Sequence, residues 1–163
     1  MMGHVYNTCG NIPGAQAEFL ESAEQIKGTQ FERDGLPFIY LALAHVHLNN
    51  NLEQTLHWLD ITEQALEKSG GSWNYYRCMA DVYAIKAIVR FKQRNLDAFQ
   101  QCIVKMEEAE SKNQFPVADL FTPYARIYKT LMDKGPEVAL AEASVLPNLK
   151  EQYLLKCDIY RYL

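Results

Sequence analysis

The side chains that could do chemistry in this chain of 163 residues include four histidines and four cysteines. His45 and His47 stand two residues apart, and a two-residue step on a helix turns the rings about 200° away from each other. The cysteines form no Cys-x-x-Cys pair and have no histidine cluster beside them. We therefore predict no metal site, and we interpret the cysteines as reduced thiols of a core.

The other residues that could act in catalysis have simpler interpretations. Glu107, Glu108 and Glu110 are typical of a solvated helix face, and Gly70-Gly71 is typical of a turn between helices rather than of a phosphate loop. We predict no catalytic residues, no enzymatic activity and no cofactor. The alternative is a small helical enzyme that uses the unassigned His and Cys residues.

Four cations, Lys86, Arg90, Lys92 and Arg94, crowd the end of a predicted helix. The helix dipole favours cations at this end, and that alone can explain them. A second interpretation is that Lys92 and Arg90 line a groove and hold an acidic side chain or the C-terminal carboxylate of a peptide. Other side chains could line the groove or simply pack between layers: Tyr40, His47, Phe91, Tyr124 and Tyr128.

Charge and hydropathy narrow the class of partner. The chain has 16 Lys and Arg against 20 Asp and Glu, a net charge of −4, which argues against direct binding of nucleic acid. The longest apolar stretch, Leu36 to Leu48, is interrupted by His45 and His47 and is too short to span a bilayer. Because no apolar leader opens the chain, we predict a cytoplasmic location without membrane contact.

The elements that must position these residues are predicted to be helices. Ala and Leu contribute 34 residues, against 23 for Val, Ile and Thr, which favours an all-α protein. Apolar periodicity and turn residues predict eight helices, approximately Pro13 to Gly28, Leu36 to Asn49, Leu52 to Ser69, Trp73 to Gln93, Leu96 to Lys112, Val117 to Lys134, Pro136 to Val145 and Leu149 to Leu163.

The turns recur at a fixed period. Asn11, Asn51, Asn95 and Gly135 occupy equivalent positions, with spacings of 40, 44 and 40 residues. Each is followed by residues suited to burial four and eight positions later: Ala15, Thr55, Phe99 and Ala139, then Phe19, Leu59, Ile103 and Ala143. Such a period predicts a right-handed α-solenoid of about four helix-turn-helix units that spans residues 1–163 as one domain.

The first unit resembles the tetratricopeptide repeat. Gly3, Tyr6, Gly10, Ala15 and Phe19 stand at that motif's spacings, where small residues permit close helix approach and aromatic rings fill the space between hairpins. The later units match more loosely, with Asn50 and Arg94 where the motif has Gly. The period also exceeds the roughly 34 residues usual for that repeat.

Residues 3–112 are similar in pattern to the repeat region of MalT-like regulators of the LuxR class. The similarity includes the phrase LALAHVHLNNNLEQTLHWLDITEQALEKSG and the Tyr- and Ile-rich helix after it. In that group the repeats lie between an ATPase region and a DNA-binding domain and receive an inducer or an inhibitory protein. The resemblance implies a sensing segment of a transcription regulator.

We therefore expect a non-enzymatic module that binds a peptide, a protein or a small inducer in a concave groove. The alternative is a structural module that self-associates, because neither end of the predicted solenoid has a polar cap. The same observation suggests a segment of a longer chain. The ligand, the process and the flanking segments are open at this stage.

Overall fold

The computed structural model describes residues 3, 7, 10–70, 74–114, 121–146 and 149–161, and within them we find helices and turns but no strand. The prediction of an all-α protein is thus confirmed. The helices of this part of the chain are α1 (Ile12–Ile26), α2 (Glu32–His47), α3 (Leu52–Lys68), α4 (Tyr75–Lys92), α5 (Leu96–Lys112), α6 (Thr122–Lys134), α7 (Pro136–Ala143) and α8 (Leu149–Tyr160).

The four equivalent turns each begin a helix. The side-chain oxygens of Asn11, Asn51 and Asn95 accept a hydrogen bond from the backbone N–H three residues later, at 3.1, 3.0 and 3.1 Å. These bonds satisfy N–H groups that a helix leaves unpaired at its first turn. Gly135 begins α7 at φ 89°, a conformation that suits Gly, and Pro136 follows it at the first helical position.

The positions behind these turns are all in the interior. At the fourth and eighth residues after each turn, no side chain is more than 7% exposed: Ala15, Thr55, Phe99, Ala139, Phe19, Leu59, Ile103 and Ala143. One periodic pattern in the sequence therefore marks the buried face of α1, α3, α5 and α7.

Some helix bounds differ from the prediction. α2 begins at Glu32 rather than Leu36 and includes Pro37 as its sixth residue, so the helix lacks the hydrogen bond that an N–H at position 37 would donate to the Arg33 carbonyl. α7 ends at Ala143 rather than Val145. Two predicted helix starts, Trp73 and Val117, and one predicted helix end, Leu163, lie outside the described residues.

Short turns join α2 to α3, α4 to α5 and α6 to α7, and each of these pairs packs together. Alternate helices also touch, since α4 contacts both α2 and α6. α4 is consequently buried on all sides, whereas α5 buries only one face. A carboxylate inside α4 also positions α6, because Oδ1 of the buried Asp81 accepts a hydrogen bond from the Phe121 backbone N–H at 2.9 Å.

Helix α8 packs against α7 and returns to the main core. Its Leu155 and Ile159 are 2% and 0% exposed and belong to the same apolar cluster as Ile88 of α4 and Tyr128 of α6. None of the helices in the described ranges has the length and hydropathy required to cross a bilayer.

Candidate binding groove

Residues from three alternate helices meet at one site, which we name the central groove. It comprises Leu48 and Asn49 directly after α2, Ile88 and Lys92 of α4, and Phe121, Tyr124 and Tyr128 at and within α6. The contacts of α4 with α2 and α6 bring these residues together although they span 81 sequence positions.

The central groove is occupied by α8. Leu154 and Leu155 line the same space as the groove residues and leave a void of only about 30 Å³. That is about the volume of one water molecule. A segment of the chain itself therefore fills the surface that the sequence predicted for an external ligand.

Asp158 of α8 is held by two groove side chains. The Lys92 ammonium lies 3.0 Å from Oδ2 of Asp158, and the Tyr128 hydroxyl donates a hydrogen bond to the same oxygen at 2.6 Å. Lys92 also donates to Oδ1 of Asn49 at 3.1 Å. Because the Asp158 side chain is only 13% exposed, these charge-assisted hydrogen bonds lie largely out of water.

A cleft of about 370 Å³ opens beside this carboxylate. Lys92 and Arg94 reach it from α4 and the turn after it, and Arg161 reaches it from the end of α8, where its Nη1 lies 3.1 Å from Oδ1 of Asp158. Three cations thus face one acidic residue among the side chains that line the cleft. The arrangement favours a carboxylate or another anionic group.

Two further predicted residues lie in or behind the groove. Tyr124 is 7% exposed and lines the void under α8. Phe91 is 2% exposed, with ring centroids 5.6 Å from Phe99 and 4.7 Å from Tyr128. Phe91 thus packs between α4, α5 and α6 and supports Tyr128 from behind.

The remaining three predicted residues lie elsewhere. The Tyr40 ring stacks on Trp58 at 5.9 Å and lines a separate cleft of about 590 Å³ between α2, α3 and the turn that follows α1. His47 is buried, and loss of solvation lowers its pKa. Arg90 donates a hydrogen bond to the Gln93 side chain at 2.9 Å. The groove interpretation therefore does not extend to these residues.

Four of the five repeat-motif residues of the first unit lie in the described part of the chain: Gly3, Gly10, Ala15 and Phe19. Gly3 and Ala15 are buried, and a Cβ added to Gly3 would lie 3.0 Å from the Phe19 ring. Ala15 and Phe19 form an apolar cluster with α2. Gly10 adopts a φ of 77° in the turn, and Tyr6 lies outside the described residues.

Lys86 has a structural role between helices. Its ammonium lies 2.8 Å from Asp60 and 2.5 Å from Glu63, both on α3. Burial opposes the charge on Lys86, but the hydrogen bonds with Asp60 and Glu63 outweigh it, so the pKa of Lys86 is raised. This lysine joins α4 to α3 and does not reach the central groove.

Cys78 and Cys102 lack the features of a nucleophile. Cys78 is fully buried, and burial raises its pKa to about 12. Burial also raises the pKa of Cys102, which is half-buried. In the part of the chain that the structure describes, no three His, Cys, Asp or Glu residues are grouped so that they could hold a metal ion. Cys9 lies outside that part.

Sequence reasoning missed four residues of the central groove, Leu48, Asn49, Ile88 and Phe121, and two residues of α8 that dock there, Leu155 and Asp158. A signal for the α8 pair was present, because Leu155 and Asp158 stand three residues apart and so share one face of α8. The spacing gives no information about which other helices this face of α8 contacts. Asn49 was identified only as the end of a predicted helix, and its contact with Lys92 spans 43 residues.

Comparison of the chain with protein-family models, curated proteins and solved structures found no match in any of the three. The function is therefore inferred from the geometry of the central groove.

Proposed function

We propose that this chain is a non-enzymatic interaction module, a solenoid of tetratricopeptide-like units that binds a peptide or protein segment in the central groove. The observation that carries the proposal is the pair of donors, Lys92 and Tyr128, on one oxygen of Asp158. Donors from two different helices that converge on a carboxylate form a receptor for an acidic side chain.

The helix arrangement supports the solenoid part of the proposal. The Asn caps and the buried positions behind them repeat with the predicted period. Contacts between α2 and α4 and between α4 and α6 are those expected when the first helices of successive hairpins stack side by side. In such a stack the first helices line one surface, and that surface contains Lys92 and Tyr128.

A selection of displayed helical peptides on the full chain tests the binding function. We expect the wild-type chain to select peptides with an acidic residue beside apolar ones, because the groove offers two donors next to Ile88 and Tyr124. Calorimetry should then show that Lys92→Gln weakens binding by at least about tenfold, the loss expected for one hydrogen bond to a charged group.

The matched control for this experiment is Lys129→Gln. Lys129 lies on α6 and pairs at 2.8 Å with Glu107 outside the central groove. This variant should bind the selected peptides as the wild type does. Selected peptides that bind Lys92→Gln and the wild type equally would exclude the groove as their site, and a selection that yields no peptide would count against the function itself.

The sensing role follows from the resemblance to MalT-like regulators and is part of the same proposal. It places the groove in a regulator that responds to an inducer or an inhibitory protein. The complete reading frame tests it, since a nucleotide-binding region before these residues and a helix-turn-helix after them are expected. A frame without either would exclude this role and leave the peptide-binding proposal unaffected.

A further inference from the structure

We propose that α8 is a built-in ligand of the central groove, and that the external partner is an acidic amphipathic helix that displaces it. This inference rests on the proposed function and adds the class of partner and the control of access to the site. The partner would present the pattern found in α8: an apolar residue, a carboxylate three residues later and an apolar residue one position after that.

α8 has one buried side and one exposed side. Leu155 and Ile159 are one helical turn apart and almost fully buried, and the largely buried Asp158 lies between them. On the other side of the helix Tyr153 and Tyr160 are 68% and 61% exposed. α8 therefore binds as a one-sided helix with a central carboxylate, which is how a helical peptide binds a groove.

The contact of α8 with the central groove is easier to break than the contacts in the rest of the core. α8 has only 12 residues, and an isolated helix of that length is marginal in water. α4, in contrast, is buried on all sides by α2, α3, α5 and α6. Segments with few buried contacts open at a lower free energy than the whole protein does.

Departure of α8 would remove one carboxylate from the groove. Without Asp158, the Lys92 ammonium would keep its hydrogen bond to Asn49 but lose its ion pair, and the Tyr128 hydroxyl would lose its charged acceptor. A group left in this state favours any ligand that restores the charge pair. The cleft of about 370 Å³ next to Asp158, with Arg94 on its wall, gives access to this position from solvent.

The experiment measures binding of a labelled synthetic peptide of residues 149–161, with Cys157→Ser, to the full chain by fluorescence anisotropy. In the wild type the resident helix competes with the peptide. The variant Asp158→Ala weakens only the resident helix, so we expect the full chain with this change to bind the peptide about tenfold more tightly.

Two further variants control for this result. Lys92→Gln added to Asp158→Ala should remove the gain, because the peptide's own carboxylate then loses its ammonium partner. Asp133→Ala, at an exposed position on α6, should leave the wild-type affinity unchanged. Equal peptide affinity for the wild type and Asp158→Ala would overturn the inference.

Hydrogen exchange on the same proteins tests displacement without a peptide. The amides of α8 should exchange faster in Asp158→Ala than in the wild type, while those of α4 and α5 keep their protection. If the α8 amides exchange no faster than those of α4 in either protein, they exchange only through global unfolding, and that result would overturn the inference.

Failure of this inference can be told apart from failure of the proposed function. If a peptide selected by display binds through Lys92 while the α8 amides keep full protection, the groove function is supported and displacement is wrong. If display selects no peptide but Asp158→Ala takes up the α8 peptide, the displaceable helix is supported and the proposed function fails.

Discussion

Two lysines six residues apart on α4 pair with carboxylates of two other helices, one that is adjacent in sequence and one that is distant. Lys86 holds Asp60 and Glu63 of α3, the helix that precedes α4 in the chain. Lys92 holds Asp158 of α8, and three helices, α5, α6 and α7, separate α8 from α4 in the sequence. The chemistry is the same, and the difference lies in what else binds each helix in place.

We call the first region the α3–α4 seam and the second the α8 contact. In the seam, Leu59 and Leu66 of α3 are fully buried in one core with Ile85 of α4. The α8 contact has one buried face, centred on Leu155 and Ile159. An ion pair inside a large apolar contact stabilises a permanent structure, whereas the same pair in a small contact contributes a large share of the docking energy and can give specificity.

The largest expected difference between the two regions is in thiol reactivity. Cys78 in the core has a pKa of about 12 against an ordinary value of 9.0, so its thiolate fraction at pH 8 falls by roughly a thousandfold. Cys157 is half-buried on α8. We expect iodoacetamide at pH 8 to alkylate Cys157 readily and Cys78 only after unfolding, with peptide mapping to separate the sites. Comparable rates in the native protein would contradict the burial of Cys78.

The next comparison uses two leucines with nearly equal burial. Leu59→Ala should lower the free energy of unfolding by about 2–5 kcal/mol, since it leaves a cavity in the seam. Leu155→Ala makes the same chemical change, but its effect cannot exceed the free energy that docks α8. Urea unfolding should therefore show a smaller loss for Leu155→Ala. Equal losses would mean that α8 is as firmly held as α3.

The two lysines give a third comparison. Lys86→Met should cost about 1–2 kcal/mol, because the Glu63 side chain is only 22% exposed and would lose its cationic partner while it keeps its hydrogen bond with Tyr83. Lys92→Met should change global stability less, since Asp158 keeps its contacts with Tyr128 and Arg161 and can also reach water when α8 opens. Lys129→Met serves as the control for a more exposed pair and should cost no more than about 1 kcal/mol. The measurement is urea unfolding at low and high salt.

The smallest effect is expected at His47, which lies beside the groove residues Leu48 and Asn49 but is buried. Loss of solvation lowers its pKa in the folded state, so the unfolded chain binds a proton more readily. Stability contributed by neutral His47 is present above the ordinary pKa of about 6.5 and is lost as pH falls below it. His47→Gln should show a smaller drop in urea midpoint between pH 7.5 and 5.5 than the wild type shows. Identical drops would place His47 in contact with solvent.

Much of the fold was predictable because it depends on local chemistry. Asn51 and Asn95 cap helices through their own backbone neighbours, and Thr55 and Phe99 become buried because they follow the cap at a fixed step along the helix. Arg94 shows the limit of such reasoning. The tetratricopeptide motif has Gly at this position. Arg94 nevertheless adopts a left-handed φ of 59°, a conformation that a residue with a Cβ disfavours.

The candidate site was less predictable because its parts come from distant segments. Lys92 and Tyr128 were identified from charge and aromatic character, yet Tyr40 and His47 fitted the same criteria and lie elsewhere. Helical spacing gives the face of one helix, and it leaves open which neighbour covers that face.

The sequence by itself determined that the protein is all-α, that helix caps repeat, and which side of α1, α3, α5 and α7 is buried. These features follow from helix propensity and from contacts between residues three or four positions apart. Only the tertiary structure decided that α8 fills the central groove and that Asp158 takes up Lys92 and Tyr128. These contacts span 66 and 30 residues. They form because the contacts of α4 with α2 and α6 create a surface that none of those helices has alone.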